Sequence, residues 1–216
     1  MMKSIKLMLL GTGLLLFCGC GPQTEKKSES ANSADSTKNV VIETIMARHS
    51  VRKYKVQPVE REKLEKIVQC GINAPSALNK QPWEVRVVSS EEYINGISEI
   101  YKKADPKVAA DPNFKNMFRN APAVIFVASP KDGSGQLDCG LLSENMVIAA
   151  QSLGLGTCCL GGPIRFMNTN TEAAPYLAKL GFSDDYTLLL AIAVGYPDES
   201  PEASPRDASK VLFVEK

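Results

Sequence analysis

The chain has 216 residues, 44% hydrophobic and 23% charged, enough for one well-buried domain with an appendage rather than two full domains. Net charge is +1, and subtracting Lys3 and Lys6, which fall in a segment expected to be cleaved, leaves −1 because residues 1–19 carry no acid. A near-neutral chain without a basic block lacks the electrostatic footprint of a nucleic-acid binder, and that class is excluded.

The N-terminus reads as a targeting signal. Lys3 and Lys6 precede an apolar run over residues 7–18, shorter than the roughly 20 residues that cross a bilayer but suited to a signal's apolar region. The run ends Leu16-Phe17-Cys18-Gly19-Cys20, similar to a bacterial lipobox, in which a small residue precedes the cysteine that receives lipid. Gly19 is that small residue and Cys20 the expected lipidation site, although Phe17 replaces the usual Leu. A plain secretory signal or an N-terminal core helix is the competing reading. Residues 21–39 contain no large apolar side chain and are rich in Ser, Lys, Glu and Asn, so they cannot bury enough surface to fold and read as a tether reaching roughly 24 Å. The expected organisation is a signal peptide over 1–19, a lipidated cysteine and tether over 20–39, and a folded domain over 40–216, held at the periplasmic or extracellular face of the cell envelope through the lipid alone.

Within the folded part, residues 40–48 predict a short helix with Val41, Ile45 and Met46 on one side. Leu64, Ile67 and Val68 form a helical stripe over 60–72. Residues 84–89 alternate as a strand, and Ser90 is placed to cap a helix over 91–103. Residues 104–121, with Pro106 and Pro112, predict an irregular cover around a short helix. The apolar run over 123–128 predicts a strand buried on both faces, and 136–153 a long, largely buried helix set between subunits. A buried strand over 155–160 ends in Gly161-Gly162. Thr171 is placed to cap a helix over 172–180 that Gly181 closes, with Pro175 harmless in its first turn. The strongest strand spans 186–194, and Val211 to Val214 predict an edge strand. The sum is an α+β fold with helices on a mostly antiparallel sheet of four or five strands.

Removal of Cys18 and acylation of Cys20 leave Cys70, Cys139, Cys158 and Cys159, none in a C-x-x-C pair. With His49 as the only histidine, zinc-binding spacing is absent and no metal is expected. Four other pieces bear on chemistry. Arg48-His49-Ser50-Val51-Arg52 sets two guanidinium forks around a hydroxyl and an imidazole, groups that suit a phosphate dianion; alone it reads equally as a solvated basic patch. Residues 74–83 form a turn stiffened by Pro75 and Pro82, and its Ser76, Asn79 and Gln81 offer groups that can read the edge of a planar heterocycle, or simply order a structural turn. In residues 156–162 a strand runs into paired glycines, where bare backbone lets a flat ligand approach closely; a plain turn would look the same. Arg206 is a late cation on a polar tail, by default solvated.

Taken together, the R-H-S-x-R opening, the P-S-x-x-N-x-Q-P-W turn, the G-T-x-x-x-G-G strand end and the late P-R resemble the nitroreductase-like flavoproteins, in the same order and over the whole of residues 40–216. The resemblance implies a homodimeric α+β sandwich with FMN sites at the subunit interface. Arg48, His49, Ser50 and Arg52 would hold the phosphate, ribityl and pyrimidine end of FMN. Pro75, Ser76, Ala77, Asn79 and Gln81 would come from the other subunit. Leu160, Gly161 and Gly162 would lie near the reactive face, and Arg206 would return to the phosphate. Asp207 stands where relatives often carry a second base, with Lys210 as a possible substitute. The implied activity is reduction of nitroaromatics, quinones or similar electron-poor small molecules with NAD(P)H by ping-pong hydride transfer. No side chain is expected to act as acid or base, His49 being a ligand contact.

Other enzyme classes lack their residues. Gly154-Leu155-Gly156 precedes a strand instead of following one, which excludes a dinucleotide-binding turn, and no G-x-S-x-G elbow exists. Export raises a difficulty, because free NAD(P)H is not expected outside the cytoplasmic membrane. Two alternatives follow: a flavoprotein of the same fold with another reductant or substrate, such as an enone or halogenated compound, and a lipoprotein binding module without redox chemistry.

Overall fold

The structure, a computed structural model, describes residues 39–215. The expected leader, Cys20 and all of the tether but Asn39 lie outside the described residues. Helix α1 (Val40–Ala47) starts at Asn39, whose side-chain oxygen accepts the Val41 and Ile42 N–H groups at 3.1 and 3.3 Å, satisfying donors that a first helical turn leaves orphaned. Helix α2 (Arg61–Ile72) buries Leu64 and Ile67 as its stripe requires. Strand β1 (Glu84–Val88) leads to α3 (Glu91–Ala104), capped by Ser90 accepting the Tyr93 N–H, and to a short α4 (Pro106–Ala109). Strand β2 (Ala123–Pro130), α5 (Gln136–Ser152), β3 (Gly156–Leu160), α6 (Gly162–Thr169), α7 (Ala174–Leu180) and β4 (Tyr186–Gly195) follow.

The four strands pair in the order β1-β2-β4-β3, antiparallel throughout. The two central strands are buried on both faces, and their alternating side chains divide the interior. Ile125 and Val127 face α2 and α5 with Leu64, Ile67, Leu142 and Met146. Val124 and Phe126 face α3, α6 and α7 with Ile94, Ile97, Ile164 and Met167. Each such side chain fully removed from water stabilises the fold by about 1.5–3 kcal/mol. The approach of α2 to α5 depends on Gly71, where an added Cβ would lie 2.5 Å from Met146 Cγ.

The structure departs from expectation at three places. Gly162, expected only to end a strand, opens α6, and residues 163–169, to which the sequence assigns no element, continue it, because Pro163 fits a first helical turn and Ile164 and Met167 supply a buried stripe. Thr171 begins a 3-10 turn over Thr171–Ala173 that leads into α7, and the turn is capped by Asn170, which accepts the Glu172 N–H at 2.9 Å. Val211 to Val214 form no strand and stay exposed, leaving a four-stranded sheet. Gly181 closes α7 as its sequence suggests, with φ +60°.

Candidate functional site

After α1 the chain runs as a narrow strip along the free edge of β3. Ser50 pairs with Thr157 in parallel fashion, and the Val51 N–H donates to the Thr157 carbonyl at 2.9 Å. A Cβ on Gly156 would sit 2.7–2.9 Å from the Val51 side chain, so glycine is what allows this close approach. On its other side the strip meets the chain leaving β4. Lys55 N–H donates to the Tyr196 carbonyl and Asp198 N–H to the Lys53 carbonyl, both at 2.9 Å, and Tyr54 bridges Pro197. The buried Tyr54 hydroxyl donates to the Val51 carbonyl at 2.6 Å, and burial pushes its pKa well above the usual phenol range. The Arg52 N–H donates to the Glu199 carboxylate at 2.5 Å, a charge-assisted bond. Four backbone and side-chain anchors therefore fix the strip before any ligand arrives.

The side chains it presents are cationic and largely free. Arg48, His49 and Ser50 are half-buried and Arg52 is exposed. Arg52 donates to the Ser50 carbonyl at 3.2 Å, but none of Arg48, His49 and Arg52 enters an ion pair among the described residues. Cys158 lies beneath Ser50; burial raises its thiol pKa while Arg52 and Arg119 oppose the shift. Three residues beyond Thr157, about 10 Å along the strand, β3 ends in buried Leu160, and exposed Gly161 and Gly162 follow. A Cβ on either glycine would meet nothing within 4 Å, so this backbone faces open space. The first and third motifs are thus neighbours, joined by the pairing of Ser50 and Thr157.

The second motif is elsewhere in the same chain. Its turn sits on the N-terminal end of α5: the Ala77 N–H donates to the Asp138 carboxylate at 3.4 Å, and a Cβ on Gly135 would lie 2.5 Å from Pro82 Cγ. Ser76 Oγ accepts the Gln81 N–H at 3.0 Å. Leu78, Asn79 and Gln81 all have positive φ, 50–55°, a backbone state that non-glycine residues occupy at a cost and that clusters at ligand sites. Pro75, Ala77, Asn79 and Gln81 are exposed, Ser76 is half-buried, and Leu78 is 89% exposed. The turn feeds β1, which two strands separate from β3, so the motifs occupy opposite sheet edges roughly 14 Å apart. Arg206 lies on an exposed tail and donates only to its own Ser204 carbonyl at 2.8 Å; within one chain it does not reach the strip. Lys210 is 3.7 Å from Asp207.

Three residues near the strip escaped the sequence reading: Tyr54, Glu199 and Arg119. Tyr54 and Glu199 join the strip through pairing distant in sequence, and the fold brings the Arg119 segment to the same end of the sheet; no local pattern announces either. Among the described residues Cys70, Cys139, Cys158 and Cys159 are free, and Cys158 and Cys159, adjacent on a strand, project to opposite faces. Among the described residues no group of metal-ligating side chains occurs, and no helix is long and apolar enough to cross a membrane.

The chain is similar to known proteins over this same region. A family model described as the nitroreductase family matches residues 45–196. A putative NADH dehydrogenase/NAD(P)H nitroreductase of Archaeoglobus fulgidus is 30% identical over 168 residues, 74% of this chain and 87% of that protein. An NADPH-flavin oxidoreductase of Vibrio harveyi is 28% identical over 183 residues, 82% of this chain and 74% of its own length. A crystal structure of a nitroreductase with bound FMN from Bacteroides fragilis superposes with a TM-score of 0.73 at 26% identity, covering 82% of this chain and all of that one.

Proposed function

The chain belongs to the nitroreductase family, and from that membership we propose that it works as an FMN-dependent NAD(P)H oxidoreductase that reduces electron-poor small molecules such as nitroaromatics or quinones. The observation that carries the reading is the packing of the Arg48–Arg52 strip along β3, which puts unpaired guanidinium groups and a hydroxyl at one end of a strand whose other end is bare glycine backbone. These residues fit the group: the cations and Ser50 suit a phosphate monoester, and the open backbone at Gly161 and Gly162 suits a flat ring.

FMN, when bound, supplies the two-electron chemistry, and the chain supplies binding, orientation and electrostatics. Arg48, His49, Ser50 and Arg52 would together hold the phosphate, ribityl and pyrimidine end of the group. Arg48, as a fixed cation, favours negative charge on the bound ring. Gly161 and Gly162, with open space beside their backbone, would leave room at the bound group for reductant and acceptor in turn, the pattern of ping-pong kinetics. No side chain acts as acid or base, since protons come from solvent.

The site takes its full form in a homodimer. Val40, Val41, Ile42, Ile45 and Met46 of α1, Leu137 of α5 and Val211 to Val214 of the tail are exposed large apolar residues, more than an isolated soluble domain ordinarily leaves in water. A second copy covering them brings its own turn, with Pro75, Ser76, Ala77, Asn79 and Gln81, toward the first copy's strip, and its tail with Arg206 within reach. We also propose that residues 1–19 direct export and that Cys20 carries the lipid that tethers the domain to the cell envelope, for which the apolar run and the Gly19-Cys20 pair are the support.

The purified mature domain is expected to be yellow and to bleach with NADPH. A colourless protein that takes up no added FMN would favour the binding-module alternative. A yellow protein inert to both nicotinamides would point to a different reductant.

A further inference from the structure

The start of β2, the end of β4 and the start of β3 form one end of the sheet, because Ala123 pairs with Val194 and Val194 with Thr157. Ser50 joins Thr157 there, and the segment 116–122 arrives at the same end. A Cβ on Gly195 would lie 2.8 Å from both Pro122 and Tyr54, so this segment and the strip pack against one residue. Met117, Phe118 and Ala121 share a core cluster with Val51, Tyr54 and Cys158.

Between these buried residues stand Arg119 and Asn120, both exposed and both left-handed, with φ of +61° and +62°. An asparagine network holds them so. Asn120 Oδ1 accepts the Lys115 and Asn116 N–H groups at 3.0 and 2.9 Å, and Asn116 Oδ1 accepts those of Phe118 and Asn120 at 2.9 and 3.0 Å. Asn116 Nδ2 donates to the Ala121 carbonyl at 3.2 Å, and the Met117 N–H donates to Ser98 Oγ at 3.0 Å. Asparagine tolerates the left-handed region, whereas a long-chain residue is out of place there. Yet position 119 carries arginine, and the fold makes no use of its side chain: Arg119 enters no hydrogen bond or ion pair among the described residues. Its charge is felt at Cys158 together with that of Arg52. Glu199, the carboxylate at the strip, accepts the Arg52 N–H.

We propose that Arg119 is a specificity-determining cation that extends the Arg48–Arg52 strip into a wider phosphate-recognition site, its guanidinium held ready on a rigid loop. The ligand chemistry is a phosphate monoester, carried either by FMN or by the 2′ position of NADPH. The inference rests on the FMN-dependent reading of the site.

The test is Arg119→Asn, which suits the left-handed backbone and is expected to leave the melting temperature unchanged or raised. FMN and riboflavin are titrated into wild-type and variant apoprotein by flavin fluorescence, and KM is measured for NADPH and NADH. If Arg119 meets the flavin phosphate, FMN binds at least about tenfold more weakly in the variant while riboflavin binding is unchanged. If it meets the reductant, KM for NADPH rises about as much and KM for NADH does not. A wild-type protein that binds FMN, beside a variant equal to it in both comparisons, would overturn the proposal. A wild-type protein that binds no FMN would overturn the cofactor reading on which it stands.

Discussion

Arg48 is half-buried at the head of the strip and free of any acidic partner among the described residues, so its charge is available to a ligand at little rearrangement. One charge-assisted contact is worth about 1.5–3 kcal/mol, so Arg48→Ala is expected to weaken FMN binding by about ten- to a hundredfold. Because no internal bond depends on the guanidinium, the circular dichroism spectrum and melting temperature should be those of the wild type. Unchanged flavin occupancy would remove Arg48 from the site. The thiols follow burial: Cys139 is enclosed, donates to the Pro82 carbonyl at 3.4 Å, and is pushed up to about 11 by loss of solvent. Its thiolate is scarce at neutral pH, so thiol reagents should leave Cys139 unmodified until the protein is denatured. Ready labelling of Cys139 in the native protein would mean that α5 opens.

At the scale of elements, the strip and β3 behave as one unit, and Gly156 is the point of closest contact. Gly156→Ala forces a Cβ to within 2.9 Å of Val51, and overpacking of this kind costs about 1–3 kcal/mol. The expected outcome is a lower denaturation midpoint together with weaker FMN binding, because the strip must lift to make room. A variant with wild-type stability and flavin affinity would show that the strip is not held by this contact. Elements with strong local signals were legible in the sequence: the stripe of α2, the Ser90 cap, the apolar β2 and the Gly181 stop each follow from residues adjacent in the chain. Helix α6 was not, since Gly161-Gly162-Pro163 carries a turn signal that a helix start also uses. Position 170 against 171 was a contest between two good caps that only the backbone direction decides. The four motifs were visible one by one, and the parallel pairing of Ser50 with Thr157 joins two of them. Glu199 stayed hidden because it reaches the strip across a long sequence separation, and Arg119 because only the fold brings its segment to the same end of the sheet.

For the whole molecule, what one chain leaves incomplete is as informative as what it builds. The turn over 75–83 and the strip over 48–52 stand at opposite sheet edges, the tail carries Arg206 away from its own core, and α1 shows its apolar side to solvent. The proposed dimer would answer all three. Placing glutamate at Ile45 should shift the protein toward monomer in light scattering at micromolar concentration, with loss of FMN; a stable flavin-loaded dimer in that variant would exclude α1 from the interface. Cys20→Ala is expected to release the protein from the membrane fraction, and persistent membrane association would assign the anchor to another segment.

The joint pocket is tested most directly by mixing two defective chains. Arg48→Ala removes a guanidinium from the strip, and Asn79→Gly removes an amide from the turn while keeping its left-handed backbone. Each homodimer alone should bind FMN weakly. Co-expressed, the two chains should form a heterodimer in which one of the two sites draws an intact strip from one chain and an intact turn from the other, so that high-affinity FMN binding returns at one flavin per heterodimer. Heterodimers that form but remain as weak as their parents would place both residues in a single-chain site and contradict the shared pocket.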